Sequence, residues 1–343
     1  MRHHSILFFS SSRTDPPSTF ADPEAHYRLA PYSIGAIRYN LVRMGWRTAY
    51  ATFRTTSRPW KSARLLDDFA PDIVYTYGAA TALMPLFCRR FLCRGARTFK
   101  VVHGWDDVYS DVWRDNYGRV AEALMQRIQR LIVCRSDAVV TLSRYLQQMG
   151  ASWGKHCHFI PNGADVPDLS RPPDDAPRLE GRFKIVYTGD QAYWKQAWMA
   201  CDAMKELPDD IHLYFTGRLT PCVRSRLRSN CTSLGWLPKS HQLAVMAQAD
   251  AFVVTADMDC NAKLQEYLRF GKPIVAYDGR ANRFFTNGRN ALLTRNFAEA
   301  FRQLADNPDL GRGLAAQAAV DLPVHSWAEI AEKFDTYFRG LLV

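Results

Sequence analysis

The chain has 343 residues, 47% of them apolar, with 44 Lys and Arg against 34 Asp and Glu for a formal net charge of +10. That apolar share supports packed cores and excludes a disordered chain, and the length suits two domains. No apolar run reaches bilayer-spanning length, since the best, "TALMPLFCRRFLC", is broken by Arg89 and Arg90.

The elements alternate from the start. "HSILFFSSS" reads as a strand, "SIGAIRYNLVRMGW" as an amphipathic helix, and "RTAYATF", "DIVYTYG" and "TFKVVHG" as further strands. Helices are expected at about 60–69, 79–93 and 117–134, and "DAVVTLS" and "CHFIPNG" complete the first half. Residues 162–182, rich in Pro, Asp and Gly, carry no hydrophobic period and read as a linker. The alternation then restarts: "FKIVYTGD", helix 193–205, "IHLYFTG", helix 220–229, "CTSLGW", helix 239–248, "DAFVVTA", helix 261–270, "PIVAYD" and "NALL". A helical tail comes next at 296–306, 309–320 and 326–340. The pattern predicts an α/β protein of two doubly wound Rossmann-like domains facing a central cleft. The expected division is an N-terminal domain over 1–161, the linker, a C-terminal domain over 183–325, and a last helix over 326–343 packing back toward the first domain.

The charge is one-sided. Residues 1–160 hold 22 Lys and Arg against 12 Asp and Glu, and residues 161–343 hold 22 of each, so the whole excess lies in the first part. Such a half suits an anionic surface, lipid or nucleic acid, although an ordinary soluble Arg-rich protein shows the same asymmetry. The eight cysteines form no C-x-x-C pair and read as reduced thiols. "ILFF" is too short for a signal peptide, so the cytoplasm is the expected compartment.

Four strand ends offer ligand chemistry. In "VYTGDQAYWKQ", Gly189 lets backbone approach a ligand and Lys195 opens the next helix, an ordinary anion site or an ordinary turn. In "LGWLPKS", Gly235 and Trp236 come after a strand. In "TADMDCNAKLQEYL", Asp259 or Asn261 could cap a helix on which Lys263 and Glu266 share a face. Lys263 at a helix start suits a diphosphate and Glu266 suits sugar or ribose hydroxyls, while an exposed ion pair explains the spacing equally simply. His103 in "KVVHGWDD" stands past a strand end, as a hydrogen-bonding group or a loop cap. Asp257 and Asp259 have the Asp-x-Asp form of some metal sites, but they lie too late in the chain to favour a metal.

Taken in order, these segments resemble the GT-B glycosyltransferases of the retaining family 4 group. "NAKLQEYLRFGKPIVA" looks like that group's K-L-x-E-Y-L-x-x-G-K-P-V-V-A signature, and "SDAVVTLSRYL", "HFIPNGAD", "VVHG", "LGWLP" and "NGRNALL" look like its other marks. The resemblance implies a sugar transferred with retention from a nucleoside-diphosphate donor, UDP or GDP, to a hydroxyl acceptor. It implies no cofactor and no metal. Glu266 would hold the ribose, Lys195 and Lys263 the diphosphate, and the Trp236-Leu237 turn the base. His103 would face the donor sugar, making His103, Lys195 and Glu266 the catalytic set. Gly189, Gly217, Asp259 and Asn261 would complete the donor site with polar residues after the first strand. Two departures stand out: Met258, between two aspartates, where the family often has Glu, and Asp190 where it often has Arg.

The rivals are a sugar-nucleotide epimerase, a dinucleotide oxidoreductase, disfavoured because no strand leads into a G-x-G-x-x-G, and a non-catalytic protein binding an anionic surface. No nucleic-acid motif is present, so no nucleic-acid partner is expected. The basic half with Trp60, Trp105 and Trp113 suggests peripheral contact with an anionic membrane on its inner face.

Overall fold

The computed structural model describes residues 4–10, 22–24, 34–52, 57–93, 99–165, 167, 169–259 and 262–343. It divides into two units, one of Met1–Gly163 with His325–Val343 and one of Ala164–Val324.

The first unit holds six strands: β1 (Ser5–Ser10), β2 (Arg47–Ala51), β3 (Ile73–Tyr77), β4 (Lys100–Trp105), β5 (Ala138–Thr141) and β6 (His158–Phe159). They form one parallel sheet in the order β2-β1-β3-β4-β5-β6. Every residue of β1 is buried, as both faces of a parallel sheet are covered. The alternation of side chains divides the core in two. Ile6, Phe8, Ile73 and Tyr75 meet helix α1 (Ile34–Arg43) and the chain's last helix. Leu7, Phe9, Val74 and Val101 meet three helices laid in one layer: α2 (Pro59–Phe69), α3 (Leu83–Phe91) and α5 (Arg119–Arg135). Helix α4 (Tyr109–Tyr117) packs on α5, and α6 (Arg144–Ser152) comes after β5.

The second unit repeats the plan with β7 (Phe183–Tyr187), β8 (Ile211–Phe215), β9 (Cys231–Ser233), β10 (Ala251–Val254), β11 (Ile274–Tyr277) and β12 (Leu292–Thr294). All pairs are parallel, in the order β12-β11-β10-β7-β8-β9. Helices α7 (Trp198–Ala203) and α11 (Phe297–Asp306) cover one face; α9 (Lys239–Ala247) and α10 (Ala262–Arg269) cover the other. On that second face Phe252 and Tyr267 stack with centroids 4.1 Å apart. The short α8 (Pro221–Arg224) precedes β9, and α12 (Pro308–Asp321) comes after α11. The last helix, α13 (Trp327–Leu342), starts with a capping box between Ser326 and Glu329 and lies in the first unit.

The two doubly wound sheets agree with the strand-helix alternation. Three local expectations change. Helix 193–205 is interrupted: a 3-10 turn at Tyr193–Lys195 ends at Gln196, whose φ of 54° is left-handed, and the helix proper starts at Trp198. Lys195 therefore closes a tight turn rather than opening a helix. Residues 109–117 form a helix that their polar composition conceals. Strand β4 runs on to Trp105, so His103 sits inside it. The seven described cysteines are free thiols. Among the described residues no helix is long and apolar enough to cross a membrane.

Candidate active site

The second sheet has β7 inside it, with the next strand β8 on one side and β10 on the other, so the strand order reverses at β7. Ligands of open parallel sheets bind beyond such a switch point. Here the backbone turns sharply. Gly189, Gly217 and Gly235, just after β7, β8 and β9, have φ of 97°, 101° and 69°. The Gly217 amide donates to Gly235 O at 2.6 Å, and a Cβ on Gly217 would meet Gly189 O at 2.4 Å. Only glycine fits both that conformation and that approach.

Lys263, on the first turn of α10, reaches this rim. Its Nζ donates to Thr188 O at 3.2 Å and sits 3.6 Å from the centre of the Tyr187 ring. Thr188 is fixed in turn by Tyr267, whose hydroxyl accepts from its amide at 2.8 Å. Burial holds the Lys263 ammonium well below the ordinary lysine range; Lys195 pushes the same way and Asp190 opposes both. Lys195 is anchored through its carbonyl, which accepts from Thr255 Oγ1 at 2.7 Å, and its ammonium lies 4.4 Å from the Trp194 ring centre. Two lysines are thus brought to one strand end and feel each other's charge.

Glu266, one turn further along α10, forms an ion pair with Lys239 of α9. Lys263 and Glu266 share a helix face, but each is held by a different partner, so the plain i,i+3 pair does not describe them. Trp236 is 78% exposed at the end of the β9 turn, and Leu237 packs against the core. Asp259 is buried; Asn261 lies outside the described residues, as does nearly all of the polar segment after β1. Asp257 is committed locally: its carboxylate accepts from the Arg280 amide at 2.6 Å and pairs with the Arg280 guanidinium at 3.3 Å.

Sequence reasoning missed Gln191. It is 1% exposed, two residues after Gly189, and neither polar atom of its amide has a hydrogen-bond partner among the described residues. Buried amides left unpaired are rare in folded proteins, so this one marks the loop. No sequence signal distinguishes it from a surface glutamine.

In the first unit, His103 is buried in β4, its Nδ1 3.0 Å from Thr76 Oγ1. Burial alone pushes it down to about 3, so the ring is neutral at physiological pH. Just past the strand end, Asp106 accepts from the Tyr109 hydroxyl, and burial raises it to about 6 despite that bond. This carboxyl was not singled out from the sequence, because its shift comes from burial by distant segments. A concavity of about 780 Å³ in the same unit lies along α13, lined by His158, His325, Glu329, Lys333 and Tyr337. It contains neither His103 nor Asp106. Trp105, expected at the surface, is 1% exposed and stacked on Trp153.

Residues 2–167 match the family described as Glycosyltransferase Family 4, and residues 182–307 match that described as Glycosyl transferases group 1. No curated protein matches the chain significantly. Among solved structures the chain resembles HepE of Anabaena in complex with UDP and glucose, at 16% identity and a TM-score of 0.72, over 98% of this chain and 100% of that one. It resembles a glycosyltransferase from Rickettsia africae at 11% identity and 0.65, over 100% and 99%. A Listeria monocytogenes protein provisionally named a UDP-N-acetylglucosamine 2-epimerase matches at 11% and 0.61, over 99% and 97%.

Proposed function

We propose a function from one premise: the chain belongs to the GT4-like glycosyltransferases of the GT-B fold. The protein transfers a sugar from a nucleoside-diphosphate donor to a hydroxyl acceptor with retention. The observation that carries this is the pair Lys195 and Lys263 at the β7 strand end, where burial and the neighbouring Lys195 penalise the Lys263 charge, against the pull of Asp190. A diphosphate placed there offsets the cost of charging Lys263 and attracts both lysines.

In this reading the two ammonium groups and the glycine-lined backbone bind the diphosphate and offset its charge as it departs. Glu266 takes the ribose hydroxyls, sharing its carboxylate with Lys239, and Trp236 offers an exposed ring to the base. The bond from the sugar's anomeric carbon to the diphosphate oxygen breaks. The acceptor oxygen bonds to the same face, and the acceptor proton passes to the diphosphate oxygen. The role of His103 toward the donor sugar stays part of the reading, with a neutral ring able to accept or donate one hydrogen bond. UDP is the first donor base to test, since the Anabaena structure holds it; GDP is the second. The basic N-terminal unit would meet an anionic membrane on its cytoplasmic side.

The test is a thermal-shift screen of the parent, Lys195→Ala and Glu266→Ala against UDP, GDP, ADP, CMP and TDP, since a ligand of the folded state raises the melting temperature. One nucleotide stabilising the parent alone supports the reading; no shift with any of them sinks it. The Listeria likeness keeps an epimerase as the second reading. Turnover of a UDP sugar without acceptor, giving an epimerised sugar, would favour it.

A further inference from the structure

We propose that the outward face of α5, Arg119–Arg135, is the surface by which this protein docks on an anionic lipid bilayer. The proposal deepens the membrane contact suggested above and is independent of the donor chemistry.

The helix is amphipathic in an unusual way. Met125, Gln129, Ile132 and Val133 are buried. The line opposite them, where polar residues are expected, holds Val120, Leu124, Arg127 and Leu131, spaced i, i+4, i+7 and i+11. Val120 is 85% exposed, Leu124 53% and Leu131 48%. Arg130 and Arg119 flank the line on one side and Arg135 on the other, all exposed. The one acidic residue of the helix, Glu122, is paired with Arg114. None of Arg119, Arg127, Arg130 and Arg135 has a carboxylate partner among the described residues. Helix α3, packed on the same core cluster, also exposes Phe87, Arg90 and Phe91; its two phenylalanine rings lie 5.1 Å apart.

The chemistry selects the occupant. A bilayer surface takes apolar side chains between its headgroups and pairs flanking cations with lipid phosphates, and it asks no directional bonds of the protein. Arginine stems lie along apolar surface while their heads reach outward. A second copy of this face would set one row of arginines against another. A single strand of nucleic acid seeks a basic groove with aromatic platforms, and this helix presents a convex aliphatic line.

The experiment is flotation of the full-length protein with vesicles of phosphatidylcholine alone and of phosphatidylcholine with about one third phosphatidylglycerol, at low and high salt. The variants Leu124→Ser/Leu131→Ser and Arg127→Glu/Arg130→Glu are run beside it, with melting temperature checked to exclude unfolding. The parent is expected to float with anionic vesicles only, and each variant to lose more than about tenfold in binding while melting like the parent. Three results would overturn the proposal. The parent does not float; the variants float equally well; or the parent is a dimer that the serine variant dissociates, so that a second copy covers the face. Nucleotide-induced stabilisation of the variants, measured in parallel, separates a failure here from a failure of the transferase reading.

Discussion

Both units wind a six-stranded parallel sheet around an internal first strand, and they differ in the residues at their strand ends. In the second unit the rim is bare backbone and cations: three left-handed glycines, Lys195 and Lys263. In the first it is protonatable and ring-bearing: His103 inside β4, then Trp105, Asp106 and Tyr109. The contrast runs against overall charge. Residues 1–160 carry the entire net positive charge, yet their strand ends gather a carboxyl group; the neutral half gathers the cations. Net charge therefore reports on outer surfaces such as α5, while a strand rim reports on the ligand. A cationic, glycine-lined rim suits a phosphate anion, and a rim with a buried carboxyl suits a neutral hydrogen-bonding group.

The comparison breaks most easily at Lys263. Lys263→Met should abolish stabilisation by the preferred nucleotide, a loss of about 3 kcal/mol or more than a hundredfold in affinity by titration calorimetry. The same change should raise the melting temperature of the unliganded protein at neutral pH. The folded state holds this ammonium below its unfolded range, so the unfolded chain binds the extra proton and stability rises with pH toward the lysine range. A variant that melts lower and still binds nucleotide would remove the second rim's assignment. Next in size, Gly217→Ala should cost about 2 kcal/mol by denaturant unfolding, from its positive φ and the clash with Gly189 O. The matching test of the first rim is Asp106→Asn. Its carboxyl is raised to about 6 by burial, so the native state favours its protonated form; that contribution is present at low pH and lost as pH rises through about 6. The variant should therefore gain on the parent by about 1 kcal/mol at mildly alkaline pH, with the gain vanishing near the ordinary carboxyl pKa. The smallest effect is expected of Gln191→Leu. Removing an unpaired buried amide should leave stability within about 1 kcal/mol of the parent. Nucleotide binding should weaken several-fold.

The sheets were legible because their apolar runs are short, regular and bounded by Gly and Asp. The rim of the second unit was legible in part, since Gly189, Gly217, Lys195 and Lys263 all stand next to strand or helix ends. The features that stayed hidden depend on contacts far apart in the chain. The Glu266–Lys239 pair joins two helices, the burial that shifts Asp106 comes from several segments, and the left-handed Gln196 looks like any helical glutamine. His103 was placed past its strand because the next residue, a glycine, reads as a stop, whereas β4 runs through Gly104 against Tyr77. Attention to tryptophan pointed to Trp105 as a surface anchor, although it is core; the apolar line of α5 consists of Val and Leu, which read as core residues until the buried side of the helix is known.

The second unit is continuous from Ala164 to Val324, and the first is completed by α13, whose Trp327, Ile330, Phe334 and Phe338 join α1 in covering the face of Ile6, Phe8 and Tyr75. On the ribosome, the domain that begins first therefore finishes last. Its sheet emerges with one greasy side covered in part, by α1 alone, and stays so while the whole of the other domain is made. A stop between Val324 and Trp327 would release a chain with a complete second domain and a first domain that lacks α13.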